Sequence, residues 1–183
     1  MKEFNSWKSF RIFSKTIRYE NRYFFNQEIQ IFLDTLVHTR QKRIERIPKN
    51  TIYWRAQLGC QLIPRYEKDK HSYDLQLPFA KERMKPLPNQ AFEGRVNPAG
   101  IPYLYAATDY KTALAEVRPW IGSEISLAQL KTVKDLTLIN CANNSSNKGY
   151  ILDENPSAEI KEQSVWADID TAFSRPISAE DRS

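Results

Sequence analysis

The chain has 183 residues, enough for one domain with a full core. Apolar residues make up 41% and aromatic residues 12%, which excludes a disordered composition, and 27% charged residues give an ordinary globular surface. Lys and Arg outnumber Asp and Glu by 27 to 22, and the net charge of +5 favours an anionic partner: a dinucleotide, a nucleic acid or an acidic protein.

The first ten residues hold no apolar run of signal-peptide length, and no stretch of about 18 apolar residues exists to span a membrane. A cytoplasmic location is therefore expected. Cys60 and Cys141 are isolated, as are His38 and His71, so neither a disulfide scaffold nor a metal centre is expected.

In chain order, residues 20–46 carry Phe25, Ile29, Phe32, Leu33 and Leu36 at helical spacing. The basic end of this segment, with Arg40, Lys42, Arg43 and Arg46, suits a helix C-terminus better than a nucleic-acid patch. Pro48 ends the pattern. The segment from Thr51 to Ala56 is β-prone, and alternation puts Tyr53 and Arg55 on one face with Ile52, Trp54 and Ala56 on the other. Residues 60–92, with Pro64, Pro78, Pro86 and Pro88, lack a period and are expected to form a long loop. Within it, Lys81, Arg83 and Lys85 look like a solvated stretch.

Gly94, Asn97-Pro98 and Gly100 supply turn chemistry. A strand is expected next, with Tyr103, Tyr105 and Ala107 on one face. A helix over about residues 109–118 follows, capped by Thr108 or Asp109 and stopped by Pro119. Glu116 falls three residues after Ala113, near the apolar side of this helix, where a carboxylate needs a cation or a ligand hydroxyl. Residues 133–140 suggest a strand, 143–149 a turn and 158–173 a helix.

GxxxxGK[ST], GxGxxG, HExxH and GxSxG are all absent from the sequence. What remains is a set of Arg, Tyr and Glu residues. Arg forks hydrogen bonds onto a pyrophosphate, a Tyr ring stacks on a flat base, and a carboxylate binds ribose hydroxyls or steadies positive charge at an anomeric carbon. These residue types fit a nucleotide glycosidic site. Ordinary strand packing with a salt bridge accounts for them more simply.

The run from Gly94-Arg95 to Glu116-Val117-Arg118-Pro119 resembles the core signature of the RES domain. Tyr53-Trp54-Arg55-Ala56 resembles that family's opening arginine motif, and Phe173-Ser174-Arg175-Pro176 a later segment, so the likeness covers roughly residues 50–177. The Arg95–Pro119 run is specific, because it orders an Arg, an Asn-Pro-x-Gly turn, a Tyr-bearing strand and an Ala-Leu-Ala-Glu helix.

The resemblance implies an α+β domain like the ADP-ribosyltransferases, with a twisted, mostly antiparallel sheet and flanking helices. It implies a toxin of a bacterial toxin–antitoxin pair that degrades NAD⁺ by hydrolysis or phosphorolysis and needs no metal. NAD⁺ is then the substrate, inorganic phosphate a co-substrate, and a helix-turn-helix antitoxin the protein partner, with no membrane or direct nucleic-acid role. Carried over by position, Glu116, Arg55 and Tyr105 are the catalytic residues, while Arg55, Arg95, Tyr53 and Tyr105 bind NAD⁺. Arg118 is better taken as a helix-end cation.

Residues 1–48 are expected to be an N-terminal helical extension and 49–183 the RES domain. The family's serine lies in a C-terminal strand past a Gly-Asp-type turn. The expectation is that this segment is absent, since neither Ser174 nor Ser178 has that context. Two further readings follow: a protein ADP-ribosyltransferase, and an inactive truncated fragment with a binding or regulatory role.

Overall fold

A computed structural model describes residues 2–20, 23–87, 91, 94, 96–142 and 156–174. The fold is α+β, as the sequence suggests, and among the described residues the strands pair in three two-stranded sheets. The chain forms two compact units, one from Met1–Arg46 with Thr137–Ser183, the other from Ile47–Leu136.

The first unit holds α1 (Ser9–Tyr19), α2 (Gln27–Thr39) and α4 (Ala158–Ser174). Asn26 starts α2 by accepting a hydrogen bond from the Ile29 N–H at 2.9 Å, so a cap side chain satisfies one of the free amides of the first turn. Ile29, Phe32, Thr35 and Thr39 are the buried stripe of α2, and Val165, Trp166 and Ile169 that of α4. Phe4, Phe32, Val165, Trp166 and Ile169 form the core of this unit, with Phe10 and Phe13 of α1 packed on it.

The helix expected over 20–46 is shorter, and α1 before it lies entirely outside the expected span. After Thr39 a 3-10 turn (Arg40–Arg43) leads into β1 (Ile44–Ile47), which pairs with β6 (Leu136–Ile139). The basic end therefore serves tertiary contacts. Lys42 pairs with Glu162 at 2.8 Å, and the Arg43 guanidinium lies 4.5 Å from the centre of the Trp166 ring.

The second unit is built on β2 (Ile52–Leu58) and β5 (Ile125–Lys131), which run antiparallel with Arg55 opposite Ala128 and Gln57 opposite Ser126. Residues 61–77, expected as loop, form a hairpin of β3 (Gln61–Glu67) and β4 (Lys70–Leu77). Lys68 and Asp69 turn it with φ of 47° and 64°. Most of its side chains are exposed on both faces, so no apolar alternation marks it in the sequence. Pro64 is tolerated because the sheet has only two strands, and a missing N–H costs nothing on an outer edge.

The strand expected around Tyr105 is reduced to a bridge between Trp54 and Ala107, whose N–H and C=O groups exchange 2.8 Å bonds. Pro102 removes one donor from the preceding run. The helix α3 (Tyr110–Glu116) begins where expected: Asp109 accepts from the Thr112 N–H at 2.9 Å and from its hydroxyl at 2.6 Å. The strand expected over 133–140 is the shorter β6, and α4 spans the expected last helix. The turn expected at 143–149 lies outside the described residues. Among the described residues no helix is long and apolar enough to cross a membrane.

Candidate functional site

The candidate site is built on one face of β2. Alternation gives Trp54 and Ala56 to one side, where the Trp54 ring meets that of Tyr110 on α3 edge-on at 5.9 Å. Tyr53, Arg55 and Gln57 take the other side, all partly buried. Across the ladder, Leu130, Ala128 and Ser126 of β5 share that face in register. The small Ala128 opposite Arg55 leaves room for the long guanidinium stem.

Arg55 donates from Nη1 to the Tyr105 carbonyl at 3.1 Å. Its Nε is buried and has no hydrogen-bond partner among the described residues. Burial, and then the charge of Arg83, lower its proton affinity below the usual arginine value. It stays charged, because arginine cannot be deprotonated in a protein near neutral pH. A half-buried guanidinium with an unmet donor and no described carboxylate beside it has the chemistry to receive an anion.

Tyr105 is fixed from a second direction. Its hydroxyl donates to Asn97 Oδ1 at 2.6 Å, and Asn97 is buried at 5% exposure. Gly94 makes this possible: a Cβ there would lie 2.6 Å from the Tyr105 hydroxyl and collide with Asn97 Oδ1. The loop closes through Gly94 N–H to Asn97 C=O at 3.0 Å and Gly100 N–H to Ala91 C=O at 2.8 Å. Gly100 has φ of 84°, a conformation that favours glycine. The turn residues noted in the sequence thus have one physical task, which is to hold the tip of Tyr105 while the residue as a whole stays 46% exposed.

Of the residues singled out in the sequence, Arg55 and Tyr105 are joined, and Tyr53 shares the Arg55 face. Glu116 is the last residue of α3, exposed, on the helix that packs against the Trp54 side of β2. Arg95 lies outside the described residues. Arg118 is exposed and follows α3 with φ of 45°, in keeping with a helix-end role.

The sequence gives Ser126 and Gln57 no role and reads Arg83 only as part of a solvated stretch, and all three basic residues of that stretch are exposed. The Ser126 hydroxyl, 1% exposed, donates to the Gly59 carbonyl at 2.8 Å and accepts from the Phe79 N–H at 2.9 Å. That pair of bonds ties the segment after β4 to the face of β5. Arg83, four residues on, then reaches Gln57 Oε1 at 2.6 Å and lies 5.0 Å from the centre of the Phe79 ring. The stretch expected to be solvated therefore places one of its cations on the Arg55 face, through contacts that local sequence does not announce.

A family model of the RES domain matches residues 63–180. The chain belongs to the RES domain family. No curated protein and no solved structure matches it. The RES match takes in Arg95, Tyr105 and Glu116, and begins after Tyr53 and Arg55. Among the described residues no three His, Cys, Asp or Glu side chains are grouped to hold a metal.

Proposed function

We propose that this RES-domain chain is a toxin-type enzyme that cleaves the nicotinamide–ribose bond of NAD⁺. The observation that carries the reading is Arg55: a half-buried guanidinium with an unpartnered Nε, hydrogen-bonded to the backbone of a Tyr105 whose hydroxyl is itself fixed. Such a cation suits a dinucleotide pyrophosphate, and the exposed ring beside it suits a flat base. Arg95, in the family signature, is the second phosphate ligand, and Tyr53 flanks Arg55.

In this reading the C–N bond to nicotinamide breaks, and the ring leaves as a neutral molecule with the bonding electrons. Strong acid catalysis is then unnecessary. The ribose is left oxocarbenium-like, and the Glu116 carboxylate stabilises that charge. Water adds at the anomeric carbon and loses a proton, giving ADP-ribose. Inorganic phosphate adds instead to give the 1-phosphate. Arg55 and Tyr105 bind and orient the substrate, so the reacting carbon is held still while the bond breaks. The reaction consumes cytoplasmic NAD⁺, and a helix-turn-helix antitoxin is the partner that restrains it.

The test is incubation of the purified chain with NAD⁺, with and without inorganic phosphate, followed by chromatography of the products. Loss of NAD⁺ is expected in the wild type, slowed at least about 100-fold in Glu116→Gln, the scale of removing one preorganised stabilising group. NAD⁺ that stays intact in both conditions overturns the reading. A label transferred to protein moves the activity to ADP-ribosylation.

A further inference from the structure

Arg83 sits where a second cation of the Arg55 site belongs. Its Nη1 is held by Gln57, the residue two along β2 from Arg55 and on the same face. The Phe79 ring lies against its guanidinium, and Ser126 fixes the Phe79 backbone. Two contacts, one of them anchored in turn by Ser126, thus hold an arginine that is exposed to solvent, on the face where Arg55 lies. Neither guanidinium makes an ion pair with a described carboxylate, and the nearby Glu82 is taken by Lys81 at 3.8 Å. Two like charges kept on one face repel each other, and the repulsion contributes to the lowered proton affinity of Arg55.

We infer that Arg83 joins Arg55, beside the Arg95 of the NAD⁺ reading, in a guanidinium site for a diphosphate group. The inference deepens the NAD⁺ reading by adding Arg83 as a specificity-determining residue for a substrate with two linked phosphates. Gln57 is a positioning residue that aims Arg83. A forked guanidinium binds phosphate through paired charge-assisted hydrogen bonds, and a divalent neighbour pair selects a pyrophosphate over a single phosphate by using both.

Titration calorimetry with inorganic pyrophosphate, and in parallel with inorganic phosphate, tests the site without requiring turnover. Pyrophosphate is expected to bind the wild type more tightly than phosphate, and to lose about 10- to 100-fold in affinity in Arg83→Gln and in Arg55→Gln, the scale of one charge-assisted pair. Phosphate binding is expected to fall much less in Arg83→Gln. Arg83→Lys, which keeps the charge without the fork, is expected to recover only part of the loss. Because Arg83 is exposed, the Arg83 variants should keep the wild-type circular dichroism and melting profile.

Wild-type protein that binds no pyrophosphate overturns the inference, as does equal pyrophosphate affinity in wild type and Arg83→Gln. Pyrophosphate binding that depends on Arg83, in a chain that leaves NAD⁺ intact, upholds the site and overturns the NAD⁺ reading alone. Where NAD⁺ is consumed, Arg83→Gln is expected to raise KM about 10-fold or more with kcat little changed, while nicotinamide mononucleotide, with one phosphate, is far less affected.

Discussion

The two compact units bury different chemistry. In the first, Phe4, Phe32, Val165, Trp166 and Ile169 make a contiguous apolar core, and its polar members are absorbed by neighbours: Trp166 donates from Nε1 to Thr39 Oγ1 at 3.3 Å, and Thr39 donates onward to Thr35 O at 3.1 Å. In the second, the buried set includes Ser126 and Asn97, each used to aim another group, and a half-buried Arg55 with an unmet donor. One unit is arranged to minimise its free energy when empty. The other keeps one buried donor, Arg55 Nε, without a partner among the described residues, and such a group asks for an explanation beyond packing.

The largest test of this contrast sets Trp166→Ala against Arg55→Gln. Trp166 is 2% exposed in the core, so its truncation should cost about 3–5 kcal/mol of stability, a transfer term plus a cavity. Arg55→Gln removes a partly desolvated, repelled charge together with its bond to the Tyr105 carbonyl, effects of opposite sign, so the empty protein should lose far less stability than Trp166→Ala does while pyrophosphate affinity falls. Chemical denaturation with ligand titration reads both. An Arg55→Gln protein destabilised as much as Trp166→Ala would make Arg55 a structural residue and erase the contrast.

Gly94→Ala probes the same contrast from within the loop that holds Tyr105. The new methyl meets the Tyr105 hydroxyl and Asn97 Oδ1, which cannot both yield without breaking their bond. The expected cost is about 1–3 kcal/mol of overpacking. Ligand affinity should fall with it, because Tyr105 also supplies the carbonyl that holds Arg55. Tyr105→Phe removes the hydroxyl part of the clash and frees Asn97 Oδ1 to move, and should restore part of the stability in the double variant. Gly94→Ala with wild-type stability would show that the loop is not the constraint described.

Much of this was legible in the sequence because it is local. The alternation at Tyr53–Arg55 places β2, the Asp109 cap starts α3, and the Asn97-Pro98-x-Gly100 turn marks the loop before Tyr105. The hairpin of β3 and β4 was not, since an exposed pair of strands buries no face and leaves no period-2 signal. Arg83 was not legible either. Its position depends on Ser126, 43 residues away by number, and on Gln57, 26 residues away, and nothing in Lys81-Glu82-Arg83 distinguishes it from a solvated run. Site residues held by distant hydrogen bonds are the part a single sequence hides.

A smaller effect separates the cap of α3 from the core by pH. Bonds from the Thr112 hydroxyl and N–H hold the Asp109 carboxyl below its ordinary range. A depressed folded-state value means that its stabilisation is present above the unfolded value and is lost as pH falls through the folded one. Asp109→Asn keeps a capping oxygen but not the charge, so its stability should vary less with pH below about 4, where an ordinary aspartate begins to protonate. Parallel acid titrations of the two proteins, followed by circular dichroism, check this. Identical acid profiles would remove Asp109 from the account of α3.

The smallest expected change is at Arg118, and it bears on whether α3 is under strain where it leaves Glu116. Arg118 adopts φ of 45° two residues after the helix, and its N–H bonds to Ala115 O at 3.1 Å. Helices commonly end on a left-handed residue there, and glycine takes that conformation without a Cβ penalty. Arg118→Gly should therefore stabilise the chain by about 0.5–1 kcal/mol, offset in part by the greater freedom of glycine when unfolded. If the gain appears and NAD⁺ cleavage is unchanged, Arg118 is a helix-end cation and Glu116 needs no strained backbone to act. If cleavage falls while stability rises, the bend at Arg118 is being kept for the orientation of Glu116, and the strain belongs to the site.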